Sequence, residues 1–134
     1  METKQKILVI DDDKWIRTFL ASVLESSGYV IVQAEDPMSA LNVAIMEKPD
    51  LILLDIFLPV INGDVLIQFI KAIELIRDIP IVILSGHLDG SIVAKTYKFG
   101  AVGFISKPFT KETVMEKINE AFGIVHFDET STIY

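Results

Sequence analysis

Three aspartates, a serine and a lysine stand at the ends of short apolar runs, and that shared position makes them candidates for chemistry. Ile7-Leu8-Val9-Ile10 runs into Asp11-Asp12, Leu51-Ile52-Leu53-Leu54 into Asp55, Ile81-Val82-Ile83-Leu84 into Ser85, and Phe104-Ile105-Ser106 into Lys107. If the runs are parallel strands, these groups meet at one sheet edge, and open parallel sheets bind ligands outside the carboxyl ends of their strands. Carboxylates, a hydroxyl and an ammonium gathered there suit metal-assisted phosphoryl chemistry.

Charge bookkeeping points the same way. Asp11, Asp12 and Asp55 within a few ångströms would repel one another by ~1 kcal/mol per pair in water and ~4 kcal/mol at an intermediate dielectric. Lys107 supplies a single compensating charge, so a stronger cation is expected. A cluster without cysteine or histidine offers hard oxygen ligands, which select Mg2+ or Mn2+. Zinc is disfavoured, because the chain has no cysteine and its histidines are His87 and His126 alone. A carboxylate can itself attack phosphorus once the charge on the transferring group is neutralised. Asp55, alone at the end of its run, is the natural acceptor; Asp11 and Asp12 chelate the ion, and Ser85 and Lys107 contact the phosphoryl oxygens.

These residues need a scaffold that brings separated strand ends together. Strand-like runs fall near residues 6–11, 29–34, 51–55, 80–85 and 102–106, and helical periodicity fills the gaps. Ile16, Phe19, Leu20, Val23 and Leu24 mark a first helix over about 14–27, closed at Gly28. Asp36 as N-cap and Pro37 at the first helical position open a second, with Leu41, Ala44 and Ile45 on one face, ending before Pro49. Val65, Leu66, Phe69, Ile70 and Ile73 form the inner stripe of a third, from about 64 to near Arg77-Asp78. A fourth spans about 89–99 with Ile92, Val93, Thr96 and Tyr97 facing in. A fifth begins at Thr110 and carries Val114, Met115, Ile118, Ala121 and Phe122. Five strand-helix units with short connections imply right-handed crossovers and a parallel sheet with helices on both faces, for which two strand orders are common. After Gly123 the period breaks, so residues 1–123 read as one domain and 124–134 as a tail or the start of a linker.

Composition sets the outer bounds. A chain of 134 residues is one domain by size and large enough for a core without disulfides. At 51% hydrophobic residues it suits a sheet covered on both faces. A net charge of −7, with twelve scattered basic residues, leaves no basic stripe for direct nucleic-acid binding. The chain contains no apolar run of membrane-spanning length and no signal-like N-terminus, so a soluble cytoplasmic setting is expected.

The ordered set Ile7–Asp12, Asp55 with Pro59 and Gly63 downstream, Ser85-Gly86, Gly100-Ala101 and Lys107-Pro108-Phe109 resembles the receiver domain of two-component response regulators, over about residues 6–122. The resemblance implies a flavodoxin-like doubly wound α/β fold with strand order 2-1-3-4-5. It implies that Asp55 accepts phosphate from a histidine kinase or phosphotransfer protein. It further implies that Asp12 and Asp55 ligate Mg2+ directly, that Asp11 acts partly through water, and that the Phe57 backbone carbonyl is the third protein ligand. Ser85 and Phe104 would form the switch, reshaping the face made by the fourth helix, fifth strand and fifth helix, through which the domain controls an output domain or target protein or pairs with a second copy. A cis bond between Lys107 and Pro108 is also implied.

Three residues depart from common family forms. Phe57, two past the acceptor, is bulky and apolar, and is expected to shield an acyl phosphate from water. His87, two past Ser85, can titrate near neutral pH, which makes it a second candidate for tuning the rate. Phe104 lacks the hydroxyl of the tyrosine often found there. Two other readings compete with a phosphorylation switch. A haloacid-dehalogenase-like phosphatase would want an acid/base aspartate where Phe57 stands, and a receiver used as a constitutive interaction module would not need the full phosphorylation set.

Overall fold

The central strands are unbroken runs of Ile, Leu and Val because water reaches neither of their faces. β1 (Lys6–Ile10), β3 (Leu51–Asp55) and β4 (Ile81–Ser85) are buried along almost their whole length. With β2 (Val30–Ala34) and β5 (Gly103–Ser106) they form an all-parallel sheet in the order β2-β1-β3-β4-β5. This is the doubly wound arrangement expected from the sequence. The computed structural model describes residues 4–86 and 90–131.

Alternate residues of each strand serve opposite layers. Leu8, Ile10, Ile52, Leu54, Ile81 and Ile83 pack beneath α2 (Pro37–Glu47), α3 (Gly63–Ala72) and Ile92 of α4 (Gly90–Lys98). Ile7, Val9, Leu51, Leu53, Val82 and Leu84 pack against α1 (Lys14–Ser26) and α5 (Lys111–Ser131). Local signals delimit the helices. Asp13 caps α1 by accepting from the Trp15 N–H at 2.8 Å, and Asp36 caps α2 by accepting from Ser39. Gly28 and Gly100 take φ of 96° and 116° after α1 and α4, the left-handed region that a glycine enters without a side-chain clash.

The structure corrects several boundaries and faces. α3 ends at Ala72 and not near Arg77-Asp78, because the isoleucines 70, 73, 76 and 79 follow a period of three, which a run of tight turns can bury and a helix cannot. The Lys71 ammonium holds that turn by donating to the Arg77 and Ile79 carbonyls. Ile67 is buried where Phe69 was expected, and Phe19, Phe69 and Tyr97 are 40%, 50% and 46% exposed. α5 runs through Ser131, past the predicted end at Gly123. One interior glycine costs a helix only about 1 kcal/mol, and nothing packs close to Gly123 to demand another conformation.

The loop after β3 contains a strained residue. The Ile61 N–H donates to the Pro59 carbonyl at 2.8 Å, a tight three-residue turn whose central Val60 has φ of 72°. A β-branched residue is disfavoured there, and Val60 is 97% exposed, so its side chain recovers almost nothing by packing. Val60→Gly is therefore expected to stabilise the domain by about 0.5–1 kcal/mol, raising Tm by about 2–4 °C. A scan showing an unchanged or lower Tm would place no strain at this turn.

Candidate functional site

Register assembles the site. Ile10 pairs with Leu54, so Asp11 and Asp55 follow at the same level on adjacent strands, and Asp55 pairs with Leu84 immediately before Ser85. Asp11 and Asp55 continue the alternation that sends Ile7, Val9, Leu51 and Leu53 toward α1 and α5. Lys107 continues that of Ile105 on the same side. Two carboxylates and one ammonium thus converge from three strand ends.

The contacts are short, and two of the three carboxylates are buried. Lys107 Nζ donates to Asp11 Oδ2 at 2.9 Å and lies 3.4 Å from Asp55 Oδ2. Asp11 Oδ1 accepts from the Asp13 N–H at 2.9 Å, and Asp55 Oδ1 from the Phe57 N–H at 3.2 Å. Asp11 is fully buried and Asp55 is 5% exposed, whereas Asp12 faces solvent. Oxygens of Asp11, Asp12 and Asp55 lie within 4.8 Å of one another. Burial first, and the neighbouring Asp11 charge second, push the Asp55 carboxyl up to about 6; Lys107 and the Phe57 N–H pull it down without cancelling them. For Lys107 burial acts to lower the pKa, but the hydrogen bond and charge of Asp11, joined by Asp55, outweigh it and raise the ammonium above its ordinary value. Three hard oxygen donors against one ammonium fit a divalent cation such as Mg2+.

The surrounding loops hold the acidic edge in place. The Gly63 N–H donates to the Ile56 carbonyl at 2.6 Å, and a Cβ there would lie 2.8 Å from both the Asp55 carbonyl oxygen and the Ile56 Cα. Only glycine lets the start of α3 rest on the main chain leaving β3. Ser85 is fully buried at the end of β4, and its carbonyl accepts from the Lys107 N–H at 2.8 Å. The Lys107–Pro108 bond is cis. Phe104 is partly buried against the α2–α4 layer, and Phe57 is 39% exposed beside Asp55. His87 lies outside the described residues. Arg17, which the sequence pattern did not bring forward, donates to the Asp11 carbonyl at 2.7 Å. A basic residue one helical turn after the Asp13 cap was the available signal.

The fold and the site together define a class: a doubly wound domain with an acidic strand-end cluster countered by one lysine. Residues 7–119 match the response regulator receiver domain, and the chain belongs to that family, the receiver domains of two-component response regulators. It is 37% identical over 112 residues to the phosphate regulon transcriptional regulatory protein PhoB of Pseudomonas aeruginosa, covering 84% of this chain and 49% of that one. To sporulation initiation phosphotransferase F of Bacillus subtilis it is 28% identical over 116 residues, covering 87% and 92%. The structure matches chemotaxis protein CheY4 of Vibrio cholerae with a TM-score of 0.85 and 26% identity, covering 89% of this chain and 99% of that one. The chain spans about half the length of the transcriptional regulators it matches. Receiver domains generally use Mg2+ and partner with histidine kinases and output domains, and the acidic cluster fits that use. No helix among the described residues is long and apolar enough to cross a membrane.

The raised Asp55 pKa has a consequence for stability. A carboxyl that titrates at about 6 when folded, against 3.8 unfolded, contributes stability below pH 3.8 that is lost as pH rises through about 6. Two units correspond to roughly 3 kcal/mol, an order-of-magnitude figure. Without divalent ions, Asp55→Asn should therefore raise Tm by several degrees at pH 7.5 and by much less at pH 4.5. Parallel pH profiles for the two proteins would show that no such repulsion exists.

Proposed function

We propose that Asp55 is the phosphoacceptor and that this chain is a phosphorylation-controlled switch. The observation that carries the reading is the convergence of Asp55, Asp11 and Lys107 on one buried point. An Asp55 oxygen attacks phosphorus, the bond from phosphorus to the donor breaks, and an aspartyl phosphate remains while the donor's leaving group departs with its electron pair. The donor is the phosphohistidine of a sensor histidine kinase or phosphotransfer protein. The domain catalyses only this transfer and its own dephosphorylation.

The roles follow from where the groups stand. Asp12, Asp55 and the Phe57 backbone carbonyl would hold Mg2+, with Mn2+ able to substitute, and the bound ion would neutralise charge on the phosphoryl oxygens. Both Asp11 oxygens already accept hydrogen bonds, which supports a contact through water. Lys107, now shared between Asp11 and Asp55, would redirect its hydrogen bonds to the phosphoryl oxygens, and the Ser85 hydroxyl would turn to them. Phe104 would follow that motion and reshape the surface of α4, β5 and α5, where an output domain, a target protein or a second copy would read the state. Residues 1–123 form the receiver in this reading, and 124–134 a tail or the start of a linker. The setting is the cytoplasm, and the acidic surface argues against direct nucleic-acid contact by this chain. His87 remains a candidate for rate tuning on its sequence position alone.

Incubation with acetyl phosphate and Mg2+ should add ~80 Da, one phosphoryl group, to the wild type and nothing to Asp55→Asn. Turnover of a phosphate ester would favour a phosphatase, and no mass gain at all would overturn the acceptor assignment. Phe57, whose N–H is bonded to Asp55 Oδ1, is a bulky apolar residue two past the acceptor, and in this reading its ring shields the acyl phosphate from water. Phe57→Asn should shorten the half-life of the phosphorylated form several-fold, and an unchanged half-life would remove the shielding role.

A further inference from the structure

Asp12 differs from the other two carboxylates. Asp11 and Asp55 are buried and each is held by a main-chain N–H and by Lys107. Asp12 is exposed, and among the described residues no hydrogen bond or ion pair holds its carboxylate. Its direction is therefore set by its backbone, and above all by the peptide that joins it to Asp11.

That peptide is clamped from the direction of β2, the strand that flanks β1 opposite β3. The Arg17 guanidinium donates to the Asp11 carbonyl at 2.7 Å through one nitrogen and to Gln33 Oε1 at 3.2 Å through Nε, and its remaining nitrogen lies 3.8 Å from Glu35 Oε2. The side chain is 13% exposed. A planar fork held on one side by the end of β2 and its following residue has little freedom, so its bond to the Asp11 carbonyl sets the plane of the Asp11-Asp12 peptide. The Asp11 N–H completes the restraint by donating to the Ala34 carbonyl at 3.1 Å.

We propose that Arg17 is a positioning residue for the metal-binding edge: by tying the Asp11 carbonyl to Gln33 and Glu35 it aims Asp12 at the point it shares with Asp11 and Asp55. The inference rests on the reading of Asp12 as a ligand. It predicts that an outer contact touching neither ion nor phosphoryl group governs ion affinity, as supporting partners do at other metal sites.

The test is Mn2+ binding, followed by the loss of the free-ion electron paramagnetic resonance signal, in wild type, Arg17→Ala and Arg17→Lys. Arg17→Ala should weaken binding about tenfold, the lower end of what such contacts are worth. Arg17→Lys, which can still reach one acceptor, should recover most of the loss. Ile118→Val, a core change in α5 remote from the site, serves as the control for stability, and its affinity should equal that of the wild type at whatever Tm it shows. Equal affinity in wild type and Arg17→Ala overturns the proposal. A loss in Arg17→Ala that Ile118→Val reproduces also overturns it, because affinity would then follow general stability. Absence of Mn2+ binding in the wild type overturns the metal reading and this inference with it, whereas equal binding in all the proteins overturns the inference alone.

Discussion

The structure turns on two buried carboxylates that share one lysine. Asp11 and Asp55 stand at the same level on neighbouring parallel strands, and Lys107 bridges them at 2.9 and 3.4 Å from beyond β5. One ammonium cannot neutralise two carboxylates and the nearby Asp12. The imbalance appears as upward shifts in both partners: Asp55 holds its proton more tightly because of burial and Asp11, and Lys107 holds its own because of both acids. Such a cluster persists only because the sheet beneath it is rigid and apolar enough to absorb the repulsion.

The scaffold supplies that rigidity where the main chain leaves each strand. α3 rests on the end of β3 through Gly63, where any side chain would strike backbone, so Asp55 is held from behind as well as along its strand. Asp13 both caps α1 and donates its N–H to Asp11, which makes the start of a helix and the orientation of a buried acid one event. The strained turn at Val60 lies in the same β3–α3 connection, where local conformational cost is most easily kept if the loop must hold one shape near a reacting group.

Much of this arrangement was legible in the sequence. Strand ends could be read because Ile, Leu and Val runs buried on both faces stop abruptly at charged or hydroxyl groups, and parity along β1, β3 and β5 sends Asp11, Asp55 and Lys107 to one side. The helix start at Asp36 was equally plain, since capping is local chemistry. Faces and ends decided by tertiary packing were not. Phe69 and Tyr97 fit a helical stripe yet lie at its exposed margin, and Ile76 is buried by a turn that no helical period describes. Arg17 escaped notice for a related reason: its partners are the Asp11 carbonyl, Gln33 of β2 and Glu35 just after that strand, contacts that exist only once β1 and β2 are paired.

The unequal burial of the three aspartates gives the cluster a direction. Asp11 and Asp55 lie under protein and Asp12 faces water, so Asp12 is the carboxylate that a hydrated cation would reach from solvent. Mg2+ surrenders its waters reluctantly, and a site with one exposed and two buried acids lets it keep several. The same gradient bears on the charge of Asp55. Burial and the neighbouring Asp11 charge both oppose its ionised form, and a cation placed beside it would offset that opposition where water cannot. The same cluster is tied to the far side of the sheet by main chain, because β4 and β5 are paired up to Ser85 and Ser106 and the Ser85 carbonyl accepts from the Lys107 N–H, so the lysine that faces both acids cannot shift its backbone without disturbing the end of β4.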